Sequence, residues 1–146
     1  MAVQLLENLD AHLYGGAVDK IVLLIGTNDM GKDVPVNEAL NNLEAIIQSI
    51  ARDYPLTEMK LLSILPVNEG EEYKKTVYIR TNEKIQKWNQ AYQELASAYI
   101  QVEFVSVFDS LTDQAGQLKK DYTTDGLHLS VAGYQVLTKS LKDYLL

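Results

Sequence analysis

Ile21-Val22-Leu23-Leu24-Ile25-Gly26-Thr27-Asn28-Asp29-Met30-Gly31, IVLLIGTNDMG in residues 21–31, is the stretch that decides the fold. Five consecutive apolar residues, three of them β-branched, break into a small polar turn. An apolar run of this length, with no alternation, suits a strand buried on both faces, as in a parallel sheet covered by helices. In open parallel sheets, sites form beyond the carboxyl ends of the strands, so chemistry is expected to start at Gly26 and run through Thr27, Asn28 and Asp29.

Upstream, Val3 to Tyr14 carries Leu5, Leu6, Leu9 and Leu13 at helical spacing, and Gly15-Gly16 offers a stop. This segment is expected to be an amphipathic helix feeding the strand. His12 lies beside the stripe and is read as a surface or partly packed histidine without a role. Downstream, a helix is expected from near Asn37, with Leu40, Leu43, Ile46, Ile47 and Ile50 on one face, ending at Asp53-Tyr54-Pro55. A second strand reads Met59 to Leu65, and Pro66-Val67-Asn68 turns away from the sheet. Glu69 to Thr76 is polar, a loop or helical lead-in. From Tyr78 to Tyr99 a long helix aligns Ile85, Trp88, Tyr92, Leu95 and Tyr99, an aromatic stripe read as core. Val102 to Val107 is a third strand, followed by a loop without strand signal as far as Tyr122. Ser130 is a good N-cap for a closing helix whose buried face is expected to use Tyr134, Leu137, Leu141 and Tyr144 or Leu145. The expected order is therefore α-β-α-β-α-β-loop-α. Such alternation implies parallel strands joined by right-handed helical crossovers, hence a layered α/β sandwich in one domain, residues 1–146.

Composition narrows the partners. The net charge of −7 and a pI near 4.7, with no cluster of lysine or arginine, argue against nucleic acid or an anionic membrane surface. Zero cysteines remove disulfides, thiolate catalysis and cysteine-ligated zinc, and fit a cytoplasmic location. No stretch approaches the roughly 18 apolar residues of a membrane span, so no stable membrane insertion is expected.

Two polar islands stand at strand ends: Gly26-Thr27-Asn28-Asp29 and Asp125-Gly126-Leu127-His128. A histidine three residues after an aspartate suits acid/base chemistry, because the carboxylate fixes the imidazole tautomer and stabilises imidazolium. An asparagine at the head of a buried strand offers a rigid amide donor to a developing oxyanion. In this order and frame the islands resemble the SGNH, or GDSL-type, hydrolase superfamily. Its G-x-N-D block is matched by Gly26, Asn28 and Asp29, and its D-x-x-H block by Asp125 and His128. The strand end Ser63 to Pro66 and the run His128 to Tyr134 also resemble bacterial platelet-activating-factor acetylhydrolase-like members.

The resemblance implies a flavodoxin-like three-layer α/β/α sandwich with a parallel sheet. It implies hydrolysis of acyl or acetyl esters of lipid or sugar by a serine, with no cofactor and no metal. Carried over, Asn28 is the oxyanion donor, His128 the general base and then acid, and Asp125 its orienter. Asp29 braces the turn, and Gly26 lets the chain bend close to the site. The family's G-D-S block, which carries the nucleophile, and its following glycine block have no match here. None of Ser49, Ser63, Ser97, Ser106, Ser110, Ser130 and Ser140 stands in such a turn, so no nucleophile is assigned. The chain therefore resembles a family member lacking its N-terminal strands, either truncated or completed by a partner.

Three consequences are expected. Loss of a triad nucleophile costs on the order of 10⁶ in turnover, so the chain alone should be nearly inactive. In the family's strand order the strand at Ile21 would lose a neighbour. Its unpaired edge would then invite self-association. Two other readings share these residues: a noncatalytic binding or assembly element of the same fold, and a metal-dependent phosphoesterase using Asn28, Asp29, Asp125 and His128 as ligands.

Overall fold

A computed structural model describes residues 3–6 and 20–145. Strand β1 (Val3–Leu6) is followed by β2 (Lys20–Leu23), then the one-turn helix α1 (Thr27–Gly31) and the long helix α2 (Val36–Asp53). Strand β3 (Glu58–Leu62), a short helix α3 (Lys74–Val77), α4 (Asn82–Ala96), β4 (Val102–Val105) and α5 (Val131–Leu145) complete the order. Short 3-10 turns occupy Glu71–Tyr73, Asp109–Leu111 and Lys120–Tyr122.

The four strands form one parallel sheet in the order β1-β2-β3-β4. Successive side chains of a strand point to opposite faces, and the two cores follow that rule. Ile21 and Leu23 of β2, with Met59 and Leu61 of β3, pack on one face against Leu43 and Ile47 of α2 and Ile85, Trp88 and Tyr92 of α4. Val22, Leu62 and Val105 pack on the other face against Leu137 and Leu141 of α5. Consecutive right-handed crossovers, each moving the chain one strand along, place α2 and α4 on the same side. The result is the expected three-layer α/β sandwich, with helices on both faces of a parallel sheet.

Three expectations are corrected. Val3–Leu6, expected to open a helix, is a strand; the remainder of that expected helix, with His12 and Gly15-Gly16, lies outside the described residues. Consequently β2 is not left with an unpaired edge. Val3 to Leu6 run in register with Lys20 to Leu23, and Ile21, Val22 and Leu23 are buried. Among the described residues it is β1, not β2, that lies outermost on that side of the sheet. Finally, Tyr134 is half exposed and Tyr144 is 39% exposed. The buried side of α5 runs through Gly133, Leu137 and Leu141, with Gly133 set so close to the Tyr122 carbonyl and Leu129 that a Cβ would meet them at 2.5 and 3.1 Å. Tyr134, one residue on, is turned about 100° away from that line.

Helix α4 begins at Asn82, later than expected, because Thr81 is its N-cap and accepts the Lys84 N–H at 3.1 Å. Ser130 caps α5 as expected: its Oγ accepts the Gly133 N–H at 3.2 Å and donates to the Asp121 carbonyl at 2.9 Å.

Candidate active site

Both polar islands lie at the carboxyl end of the sheet. After Leu23 the chain runs through Leu24 and Ile25 to Gly26, whose φ of +131° lies where side chains are strained. Space excludes a side chain as well: a Cβ at Gly26 would stand 2.7 Å from Ile64 Cδ1 and from the Tyr92 hydroxyl. The close bend lets the Gly26 carbonyl accept the Met30 N–H at 3.0 Å and the Asn28 carbonyl accept the Lys32 N–H at 3.0 Å. These bonds make α1 the rigid mount of Asn28. Asp29 contributes its carbonyl, which accepts the Val34 N–H at 3.0 Å and fixes the exit toward α2. Below this turn sits the Tyr92 hydroxyl, buried and without a hydrogen-bond partner among the described residues. Its burial, and then the charge of Asp29, push its pKa above the ordinary tyrosine value.

The second island is a self-contained loop. Thr123 and Leu129 pair across its base in a single antiparallel bridge. The Thr123 hydroxyl donates to the His128 carbonyl at 2.6 Å and accepts the Gly126 N–H at 2.9 Å. Within the loop, Asp125 Oδ1 accepts the N–H groups of Leu127 (2.9 Å) and His128 (2.7 Å), while Oδ2 lies 2.6 Å from His128 Nδ1. The i,i+3 spacing thus lets one carboxylate fix both the backbone and the ring of the same histidine. An ionised carboxylate can only accept, so Nδ1 carries a proton, and in the neutral ring this tautomer keeps the lone pair on Nε2. Partial burial alone would raise the Asp125 pKa, but the ring and the two N–H donors outweigh it and hold the carboxyl below its ordinary value.

The islands meet at a cavity of about 170 Å³. Thr27 and Asn28 of the first island line it together with His128 of the second and Tyr134, and its apolar lining includes Leu24 and Ile64. Of the residues singled out in the sequence, Gly26, Asn28 and His128 share the cavity, and Asp125 Oδ2 contacts His128 Nδ1. None of the seven serines lines it. Ser63 Oγ accepts the Val107 N–H at 2.9 Å, and Ser97 Oγ donates to the Glu94 carbonyl at 2.6 Å. Among the described residues no group of three or more His, Cys, Asp or Glu side chains comes together as a metal site would need, and no helix is long and apolar enough to cross a membrane.

Several supporting residues are not legible as site residues in the sequence. Asn89 Oδ1 accepts the Ile64 N–H at 2.6 Å and its Nδ2 donates to the Ile64 carbonyl at 3.2 Å. Asn82, seven positions earlier on α4, treats Val67 in the same way, at 2.9 and 2.7 Å. The Asn68 N–H donates to the Gly126 carbonyl at 2.9 Å, and Tyr73 packs so tightly over Gly126 that a Cβ there would stand 2.5 Å from its own. Two asparagines at i and i+7 on the buried face of a helix were the available signal for the first pair. Nothing in the sequence marks Tyr73.

The chain is similar to known proteins in sequence and in fold. Residues 2–136 match the model of the GDSL-like Lipase/Acylhydrolase family. A solved structure from Streptococcus pneumonia, provisionally assigned as a platelet activating factor, is 87% identical with a TM-score of 0.92, over 94% of this chain and 64% of that one. The chain thus spans somewhat less than two thirds of that relative. A GDSL-like lipase from Bacteroides thetaiotaomicron shares the fold at 21% identity and a TM-score of 0.70, over 88% of this chain and 62% of its own. A carbohydrate esterase family 3 protein from Talaromyces cellulolyticus does so at 15% and 0.68, over 88% and 57%. Comparison with curated proteins gives no match. By the extent of the family match, the chain belongs to the GDSL-like lipase/acylhydrolase family.

Proposed function

We propose that these residues form the oxyanion and acid/base half of an ester hydrolase site acting on acyl or acetyl esters of lipid or sugar. The observation that carries this reading is the 2.6 Å contact between Asp125 Oδ2 and His128 Nδ1, at a cavity that Asn28 also lines. In the proposed reaction, His128 Nε2 takes the proton of an attacking serine hydroxyl as its oxygen bonds to the ester carbonyl carbon. Asp125 steadies the imidazolium, and the Asn28 side-chain amide donates to the carbonyl oxygen as it becomes an oxyanion. His128 then returns the proton to the leaving alcohol, and a water repeats the sequence to release the acid. Leu24 and Ile64 give the cavity an apolar wall suited to the acyl group.

None of the chain's serines is proposed as nucleophile, because none lines the cavity with His128. The 146 residues on their own are therefore expected to hydrolyse p-nitrophenyl acetate no faster than the His128→Ala variant. A clear His128-dependent rate in the chain alone sinks this part of the proposal and shows that one of its serines serves. With a G-D-S-bearing segment joined to the chain, activity abolished by EDTA counts against the metal-free mechanism.

A further inference from the structure

The segment between β3 and α4 touches both islands. At one end Asn68 and Tyr73 hold Gly126 of the histidine loop. At the other end Arg80 reaches the turn that carries Asn28. Its Nε donates to the Thr27 carbonyl at 3.0 Å, and its Nη1 donates to the carbonyls of Thr76 (3.1 Å) and Val77 (3.3 Å). The guanidinium is thus forked between α1 and the end of α3. Gly31, the last residue of α1, makes room for it: a Cβ there would collide with the guanidinium.

The chain accepts strain to reach this arrangement. Tyr78, between α3 and Arg80, has φ +58° and ψ −118°, a conformation costly for a residue with a side chain. Its side chain is 69% exposed, so the side chain's own packing does not account for that conformation. The reversal at Tyr78 brings Arg80 back under α1, and the Arg80 N–H donates to the Val77 carbonyl at 3.1 Å. Arg80 is absent from the cavity lining, so it acts on the site through α1.

We propose that Arg80 is a positioning residue for Asn28: its fork across the Thr27, Thr76 and Val77 carbonyls fixes the one-turn helix from which Asn28 donates. Lysine cannot reproduce this, because a single ammonium lacks the planar multi-donor geometry. The catalytic part of the proposal rests on Asn28 being the oxyanion donor; the mechanical part does not.

The test is site-resolved amide exchange on the 146-residue chain. In Arg80→Met, the Met30 and Lys32 amides, which close α1, should exchange at least roughly tenfold faster, while those of Tyr54 and Ser63 stay within about twofold. Arg80→Lys, the milder variant should Arg80→Met not fold, is expected to show the same local pattern at roughly threefold. Unchanged α1 protection in these variants overturns the proposal. Equal acceleration throughout the sheet and α2 also overturns it, since Arg80 would then only support the fold. With a G-D-S-bearing segment joined to the chain, Arg80→Met should lower kcat for p-nitrophenyl acetate about tenfold and leave KM within about twofold. A loosened α1 with unchanged kcat overturns the positioning role alone. Loss of His128 dependence in that same assay overturns the esterase reading, whatever Arg80 does.

Discussion

Asn89 stands in for a neighbouring strand beside Ile64, binding its N–H at 2.6 Å and its carbonyl at 3.2 Å from within the α4 core face. Beyond Leu62 the named ladder ends, yet the chain must continue buried to form the wall of the cavity. Buried backbone groups need partners, and an asparagine amide supplies one donor and one acceptor with strand-like spacing. Asn82 repeats the device at Val67, three residues on. Helix α4 is therefore the clamp on the Ile64–Val67 segment, whose Ile64 packs on Gly26 and lines the cavity.

Removing that clamp leaves two buried backbone groups without partners. Asn89→Ala is expected to lower unfolding stability by about 2–4 kcal/mol, against less than about 0.5 kcal/mol for Asn41→Ala on the exposed side of α2. Urea denaturation of the two variants measures the difference. Equal effects would contradict the strand-substitute role.

Tyr92 makes the opposite prediction. Its hydroxyl is buried beneath Gly26 and has no hydrogen-bond partner among the described residues, while its ring is fully packed. Tyr92→Phe keeps the ring and removes the unsatisfied group, so stability should stay level or rise by about 1 kcal/mol. A loss of more than about 1 kcal/mol would show that the hydroxyl is bound, by an ordered water for example.

The acid limb of stability follows from Asp125. Its carboxyl is held below its ordinary value, so the unfolded chain takes up the proton first as pH falls. The contribution is fully present above the unfolded-state value and is lost as pH drops through the depressed folded-state value. The stability difference between the wild-type chain and Asp125→Asn should therefore shrink as pH falls across that acid window. A difference that widens as pH falls through that window would reverse the assigned direction.

Much of the layout is legible because long amphipathic segments have a single consistent reading. The faces of α2 and α4 follow from Leu43, Ile47, Ile85, Trp88 and Tyr92, all buried as their spacing requires. Val3–Leu6 is not legible in the same way. VQLL is too short to distinguish a period of two from one of 3.6, and the structure resolves it by pairing the edge of the buried β2. Tyr134 misleads because α5 carries apolar residues around much of its circumference, and only the close approach of Gly133 to Tyr122 fixes the phase. Asp125 and His128 are legible because one loop carries both. Arg80 and Tyr73 act by long-range packing onto backbone, which leaves no local pattern.

The proposed ester hydrolysis runs through His128. When a G-D-S-bearing segment precedes the chain, kcat for p-nitrophenyl acetate should fall by on the order of 10⁴–10⁶ in His128→Ala, with KM little changed. Asn28→Ala in the same protein should cost on the order of 10²–10³, the effect of one oxyanion donor. A His128→Ala enzyme that keeps kcat within about tenfold of its parent would contradict the acid/base assignment, and with it the esterase site built on Asp125 and Asn28.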